Sequence, residues 1–140
     1  PGAEDETLIR ACKQAGAWEF VEQFAEGLDT VLGQGGVNVS GGQRQRLCIA
    51  RALAGDPKVL ILDDATSAVD TGTEAEILRC LRQQVGVTKF IISQRVRSVR
   101  DADQILVLDR GEVSDIGTHA QLYSRNEIYR QMCMSQKEDA

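Results

Sequence analysis

Ser40-Gly41-Gly42-Gln43 and Val59-Leu60-Ile61-Leu62-Asp63-Asp64 are the two stretches that decide the fold. The first predicts a helix start, because Ser40 is a favourable N-cap and the glycines leave backbone N–H groups uncovered, where a phosphate can bind. The second is a continuous apolar run and predicts a strand that is buried on both faces. Its two terminal carboxylates lie where open α/β sheets bind ligands, and they could hold magnesium and activate water.

Each of these signals also has a purely structural explanation. A Ser-Gly-Gly helix start is more often only a cap, and an apolar run that ends in Asp is more often a core strand with a solvated end. The order and spacing of the neighbouring segments make the combination more specific than either stretch alone. A helix is predicted from about Gly41 to Leu53 and is stopped by Gly55-Asp56-Pro57, and Ser67-Ala68-Val69-Asp70 leads into a helix that Asp70 can cap.

Composition bounds the function classes. The 140 residues amount to one domain or less, 42% of them are hydrophobic, and the net charge of −5 offers no broad basic surface to nucleic acid. The four cysteines lie too far apart in sequence for a metal knuckle or a redox pair. No apolar run approaches the roughly 18 residues that a membrane span needs, so we expect these residues not to cross a membrane.

The second half of the chain continues the alternation of strands and helices. Lys89–Ser93 reads as another buried strand, with Gln94 at its carboxyl end. Apolar runs on both sides of Asp109-Arg110-Gly111 predict a hairpin, and the whole pattern predicts an α/β sheet. His119 is the only histidine, and we favour a structural role for it at a helix start over a catalytic role.

From Val39 to Asp70, without a gap, the chain resembles the signature motif, Walker B motif and D-loop of an ATP-binding cassette (ABC) ATPase. The resemblance implies a P-loop NTPase-like α/β cassette, of which these residues form the C-terminal two-thirds. We expect a helical and signature subdomain over about 1–54. We expect the Walker B side of a mainly parallel sheet, the D-loop, the switch loop, a hairpin and the last helices over about 55–140.

The family's P-loop, G-x-x-x-x-G-K-[ST], is not found in the 140 residues, and neither is its Q-loop or its adenine-stacking aromatic residue. We therefore expect Pro1 to lie inside a larger cassette whose P-loop part is absent here. The isolated residues are expected to be inactive as an ATPase, because the P-loop amides and lysine cradle the phosphates.

The resemblance also implies roles for particular residues, with ATP and Mg²⁺ as the ligands. It assigns nucleotide binding to Ser40, Gly41, Gly42, Gln43 and Asp70, the metal to Asp63, and catalysis to Asp64 and Gln94.

Two of these residues depart from the family pattern, which usually has Glu in place of Asp64 and His in place of Gln94. Asp is one methylene shorter as a base, and Gln can hydrogen-bond a phosphate but cannot carry a proton or a positive charge. The departures indicate either an inactive paralogue or the degenerate half of a heterodimeric exporter.

An exporter reading implies partners. Gln34 and Gly35 occupy the X-loop position, where the family usually has Glu and Arg, so the charged pair that contacts the membrane domain is missing. We expect a second, non-identical nucleotide-binding domain and transmembrane domains as partners, no nucleic acid, and a place at the cytoplasmic face of a membrane. The alternatives are a symmetric homodimeric exporter, a soluble ABC ATPase, and a non-enzymatic regulatory or structural half.

Overall fold

The computed structural model describes residues 4–36 and 38–136, so Pro1 lies outside the described residues. Helices and strands alternate from Gly41 to Asp109, and the α/β class is confirmed. Between residues 4 and 136, leaving out 37, no helix is both long and apolar enough to span a bilayer. The elements are α1 Asp5–Gln14, α2 Trp18–Val21, α3 Gly41–Leu53, β1 Val59–Asp63, α4 Thr71–Arg82, β2 Thr88–Ile92, α5 Val96–Val99, β3 Ile105–Asp109, β4 Glu112–Gly117, α6 His119–Arg125 and α7 Glu127–Ser135.

The chain divides into two compact units, Pro1–Phe90 and Ile91–Ala140. In the first unit α1 packs against α2, α3 and α4. Arg46 links α3 to the first two helices, because its guanidinium donates to the carbonyl of Gly16, just after α1, at 2.8 Å and lies over the ring of Phe20 in α2. The subdomain boundary expected near residue 54 stays a prediction.

Strands β1 and β2 form a two-stranded sheet, next to which the Thr88 N–H donates to the carbonyl of Lys58 at 2.9 Å. Leu60 and Leu62 are buried, whereas Val59 and Ile61 on the other face are 53% and 65% exposed. The expected burial of β1 on both faces is therefore wrong for the described residues. The expected burial of β2 is wrong as well, because its residues are exposed or only partly buried.

The second unit is built on the predicted hairpin of β3 and β4. The strands pair antiparallel from Ile105 opposite Gly117 to Asp109 opposite Glu112, with one irregularity after Val107. Arg110 and Gly111 connect them with φ of 50° and 83°, which is the pattern of a type I′ turn. The inner face packs on a core that consists of Val96, Ile105, Val107, Leu122, Tyr129 and Cys133.

The outer face of this hairpin is also apolar. Leu106 lies opposite Ile116, and Leu108 lies opposite Val113, so each pair shares a face of the ladder. These four side chains are between 41% and 63% exposed. The hairpin thus carries apolar residues on both faces, and only one face is covered within the described part of the chain.

Candidate functional site

The first turn of α3 is closed by a capping box. The Ser40 hydroxyl accepts from the Gln43 N–H at 3.2 Å, and the Gln43 side-chain oxygen accepts from the Ser40 N–H at 2.9 Å. The amides of Gly41 and Gly42 precede the first intrahelical donors, so helix geometry gives them no intrahelical acceptor. The turn therefore has the amides and the positive helix end that suit a phosphate oxygen.

Asp63 ends β1, and Asp64 follows it directly. Both residues are exposed, and Asp64 has a φ of 46°, a left-handed conformation that Asp tolerates better than most residues. Within residues 4–36 and 38–136 no group of three or more His, Cys, Asp or Glu side chains is placed to hold a metal ion. An exposed Asp63 fits Mg²⁺ nonetheless, because this ion is usually bound by one or two carboxylates, substrate phosphates and water.

Residues 64–70 form the post-strand loop, which α4 holds at its far end. Asp70 caps α4 by accepting from the Thr73 N–H at 3.0 Å and the Thr73 hydroxyl at 2.6 Å. These Thr73 hydrogen bonds, the side-chain bond first, hold the pKa of the Asp70 carboxyl below its usual range. Inside the loop, the Thr66 hydroxyl donates to the Glu74 carboxyl at 2.8 Å, and Glu74 is only 1% exposed.

The first turn of α3 lies directly against the post-strand loop. A Cβ on Gly42 would lie 3.0 Å from the Ala68 carbonyl oxygen and 3.4 Å from Val69 Cγ1. One helical turn further along, the Gln45 amide nitrogen donates to the Ser67 hydroxyl at 2.9 Å, and its oxygen accepts from the Ala68 N–H at 2.8 Å. The predicted phosphate-binding turn and the loop that begins with Asp64 are thus in contact.

Sequence reasoning missed three residues of this arrangement, Gln45, Thr66 and Glu74. Glu74 had a signal, because with Ile77, Leu78 and Leu81 it falls on the apolar stripe of α4. No local signal marks Gln45, whose partners lie 22 and 23 residues further along the chain.

Gln94 belongs to the second unit and is described there. It is exposed, and its carbonyl accepts from the Gln136 side-chain nitrogen at 2.7 Å, while the Gln136 oxygen accepts from the Val96 N–H at 2.8 Å. The structure therefore brings the other predicted site residues, from Ser40 to Asp70, into the first unit, and Gln94 keeps its predicted role only as a prediction.

His119 has the structural position that the sequence favoured. It is the first residue of α6, directly after the N-cap Thr118. Its Nδ1 lies 2.9 Å from the hydroxyl of Tyr129, which is buried. Burial is the main cause that raises the pKa of Tyr129 to about 12, so its hydroxyl keeps its proton.

Comparison with known proteins identifies the family. A family model described as ABC transporter matches residues 4–67. The ATP-dependent lipid A-core flippase of Alcanivorax borkumensis is 50% identical over 131 residues, which are 93% of this chain and 22% of that protein. The chain belongs to the ABC transporter family. A second ABC relative, ABC transporter B family member 2 of Dictyostelium discoideum, is 44% identical over 93% of the chain and 9% of that protein.

A solved ABC structure confirms the cassette fold. The structure of a bacterial Atm1-family ABC exporter with ATP bound superimposes with a TM-score of 0.92 at 38% identity. The alignment covers 98% of this chain and 24% of the exporter chain. The chain spans about a fifth of the length of the ABC flippases that it matches.

The two glycines of the signature turn, which is the first turn of α3 at residues 40–43, should differ in how well they tolerate an added methyl group. Gly42→Ala should lower the free energy of unfolding by roughly 1–3 kcal/mol, because its Cβ would crowd the Ala68 carbonyl. Gly41→Ala is the matched control, since its Cβ would meet only Ala68 Cβ at an ordinary 3.7 Å, and Ala is the better helix former. Urea unfolding gives the free energy of unfolding of both variants. Equal values would contradict the close approach of Gly42 to the Ala68 carbonyl.

Proposed function

We propose that this chain is part of the ATP-binding and ATP-hydrolysing cassette of an ABC exporter. The observation that carries the proposal is the contact between a glycine turn with phosphate-binding geometry and the loop that follows two strand-end carboxylates. Relatives named as ATP-dependent flippases support it, and so does the likeness to an exporter structure with ATP bound. As part of such an exporter, the cassette would lie at the cytoplasmic face of a membrane, attached to transmembrane domains.

The signature turn would act on the ATP of a second cassette. ABC cassettes pair head to tail, so that each ATP lies between the P-loop of one and the signature of the other. In that arrangement the amides of Gly41 and Gly42 would bind the γ-phosphate together with Ser40 and Gln43. Asp70 would hold the start of α4 next to the same interface, through its cap on Thr73.

Asp63, Asp64 and Gln94 would serve the ATP that this cassette binds itself. Asp63 would hold Mg²⁺, which when bound neutralises phosphate charge during hydrolysis. Asp64 would approach the attacking water as its base, and Gln94 would donate a hydrogen bond to the γ-phosphate. Hydrolysis at this site should be weak. The side chain of Asp64 is one methylene shorter than the usual Glu, and Gln94 cannot take up a proton or carry a positive charge. We therefore propose a non-identical partner cassette that carries the stronger site.

The 140 residues alone should hydrolyse no ATP above background. They contain no P-loop lysine or P-loop amides to cradle the β- and γ-phosphates. The measurement is phosphate release by the monomeric fraction, with folding checked by circular dichroism. If the 140 residues alone hydrolysed ATP and Asp63→Asn abolished that turnover, the proposal that the site needs a P-loop from outside these residues would be wrong.

In the assembled transporter, Gly41→Asp or Ser40→Arg should nearly abolish turnover. A carboxylate or a long side chain at this helix end would repel or displace the partner's γ-phosphate. Steady-state phosphate release measures the effect. Gly55→Asp, at an exposed glycine beyond the other end of α3, is the control for adding the same charge elsewhere. Normal turnover in both signature variants would show that the turn serves no hydrolytic site.

Asp64→Asn decides between an asymmetric and a symmetric transporter. If this site is degenerate, the change should cost little, because little hydrolysis takes place there. If Asp64 is the working base, hydrolysis should fall by about 10²–10⁴-fold. Asp56→Asn is a matched control, since Asp56 is also exposed and has the same φ of 46°. Single-turnover hydrolysis at each site is the measurement, and a hundredfold loss would overturn the degenerate-site proposal.

A further inference from the structure

Gln45 uses both ends of its side-chain amide on the post-strand loop. Its nitrogen donates to the Ser67 hydroxyl at 2.9 Å and lies 3.5 Å from the carbonyl oxygen of Asp64. Its oxygen accepts from the Ala68 N–H at 2.8 Å. One side chain thus holds the beginning and the middle of the loop, including the backbone of the predicted base.

Gln45 is also fixed to the signature turn by helix geometry. It lies three and four residues after Gly42 and Gly41, so all three residues lie on one face of α3. Because Gly42 has no side chain, this face reaches the Ala68 carbonyl closely enough for the amide of Gln45 to bridge the gap. The loop cannot shift by much without breaking these bonds or closing on Gly42.

The hydrogen bonds of Gln45 help to set the position of the Asp64 carboxylate, because that position depends on the backbone conformation of Asp64. Its φ of 46° is uncommon for a residue other than glycine, although Asp tolerates it, and the contacts of the loop help to hold the backbone in this conformation. The Thr66–Glu74 bond inside the loop and the Asp70 cap at its far end fasten the loop to α4. Gln45 supplies the corresponding attachment to α3.

We propose that Gln45 is a positioning residue that makes the signature turn and the Asp64 loop move as one body. The inference rests on the proposed function, in which the signature turn serves the partner's ATP and Asp64 serves this cassette's own. Under that arrangement, Gln45 couples the two ATP sites, since a shift of the signature turn towards one nucleotide carries the loop of the other with it. Coupling of this kind is reciprocal for binding at the two sites.

Gln45→Met in the intact transporter tests the proposal, because Met keeps the length of the side chain but removes the hydrogen bonds with Ser67 and Ala68 and the 3.5 Å polar contact with the Asp64 carbonyl. We expect kcat to fall roughly 5- to 50-fold, the worth of two hydrogen bonds, while KM for ATP stays within about twofold. Cooperativity in ATP concentration should also weaken. Gln83→Met, at an exposed glutamine just after α4, is the matched control.

Ser67→Ala separates positioning from a loss of folding. Alone it should lower kcat less than Gln45→Met does, and added to Gln45→Met it should have almost no further effect, because the bond is already gone. Thermal unfolding and the ATP-binding stoichiometry report the folded fraction. Additive effects of the two changes, or a loss that matches the unfolded fraction, would overturn the positioning role.

The controls keep the two proposals apart. If the parent transporter shows no hydrolysis that Gly41→Asp abolishes, the proposed function itself fails. If the parent hydrolyses ATP and folded Gln45→Met keeps its kcat and cooperativity, only the role of Gln45 is overturned.

Discussion

The close approach of the first turn of α3 to the loop after β1 is the contact on which the predicted site depends. It is possible only because Gly42 presents no side chain to the Ala68 carbonyl. The approach sets the distance that the Gln45 amide has to span, and that amide then holds the loop in the conformation that Asp64 adopts. A helix end whose amides suit a phosphate and a strand end with carboxylates thereby become parts of one rigid arrangement.

The sequence predicted those parts of the fold that short-range chemistry determines. Ser40 and Asp70 have side chains that cap a helix wherever the following residues can form one, and both do so here. The turn at Arg110 and Gly111 needs two positive φ angles, which a glycine and the apolar runs on both sides make recognisable. The order of the motifs from Val39 to Asp70 indicated the ABC family, and the comparison with known ABC proteins confirmed it.

Long-range geometry accounts for what the sequence could not predict. The burial of Val59 and Ile61 was misjudged because an apolar run shows only that a side chain suits a covered face, not whether that face is covered. Gln45 escaped notice because a glutamine in a helix looks like a solvated residue until its partners, more than twenty positions away, are known. The predicted roles of Asp63, Asp64 and Gln94 follow from the motif alone, since neither burial nor ion pairing sets them apart.

The outer face of the β3–β4 hairpin affects how these residues can be handled. Within residues 4–36 and 38–136, no further strand pairs with this short antiparallel ladder and its outer apolar face is uncovered, which makes it a template for strand addition, the first step of aggregation. Charged gatekeeper residues are the usual natural remedy. Leu106 and Leu108 alternate with the core residues Ile105 and Val107, so lysines in their place would solubilise the chain without disturbing the core.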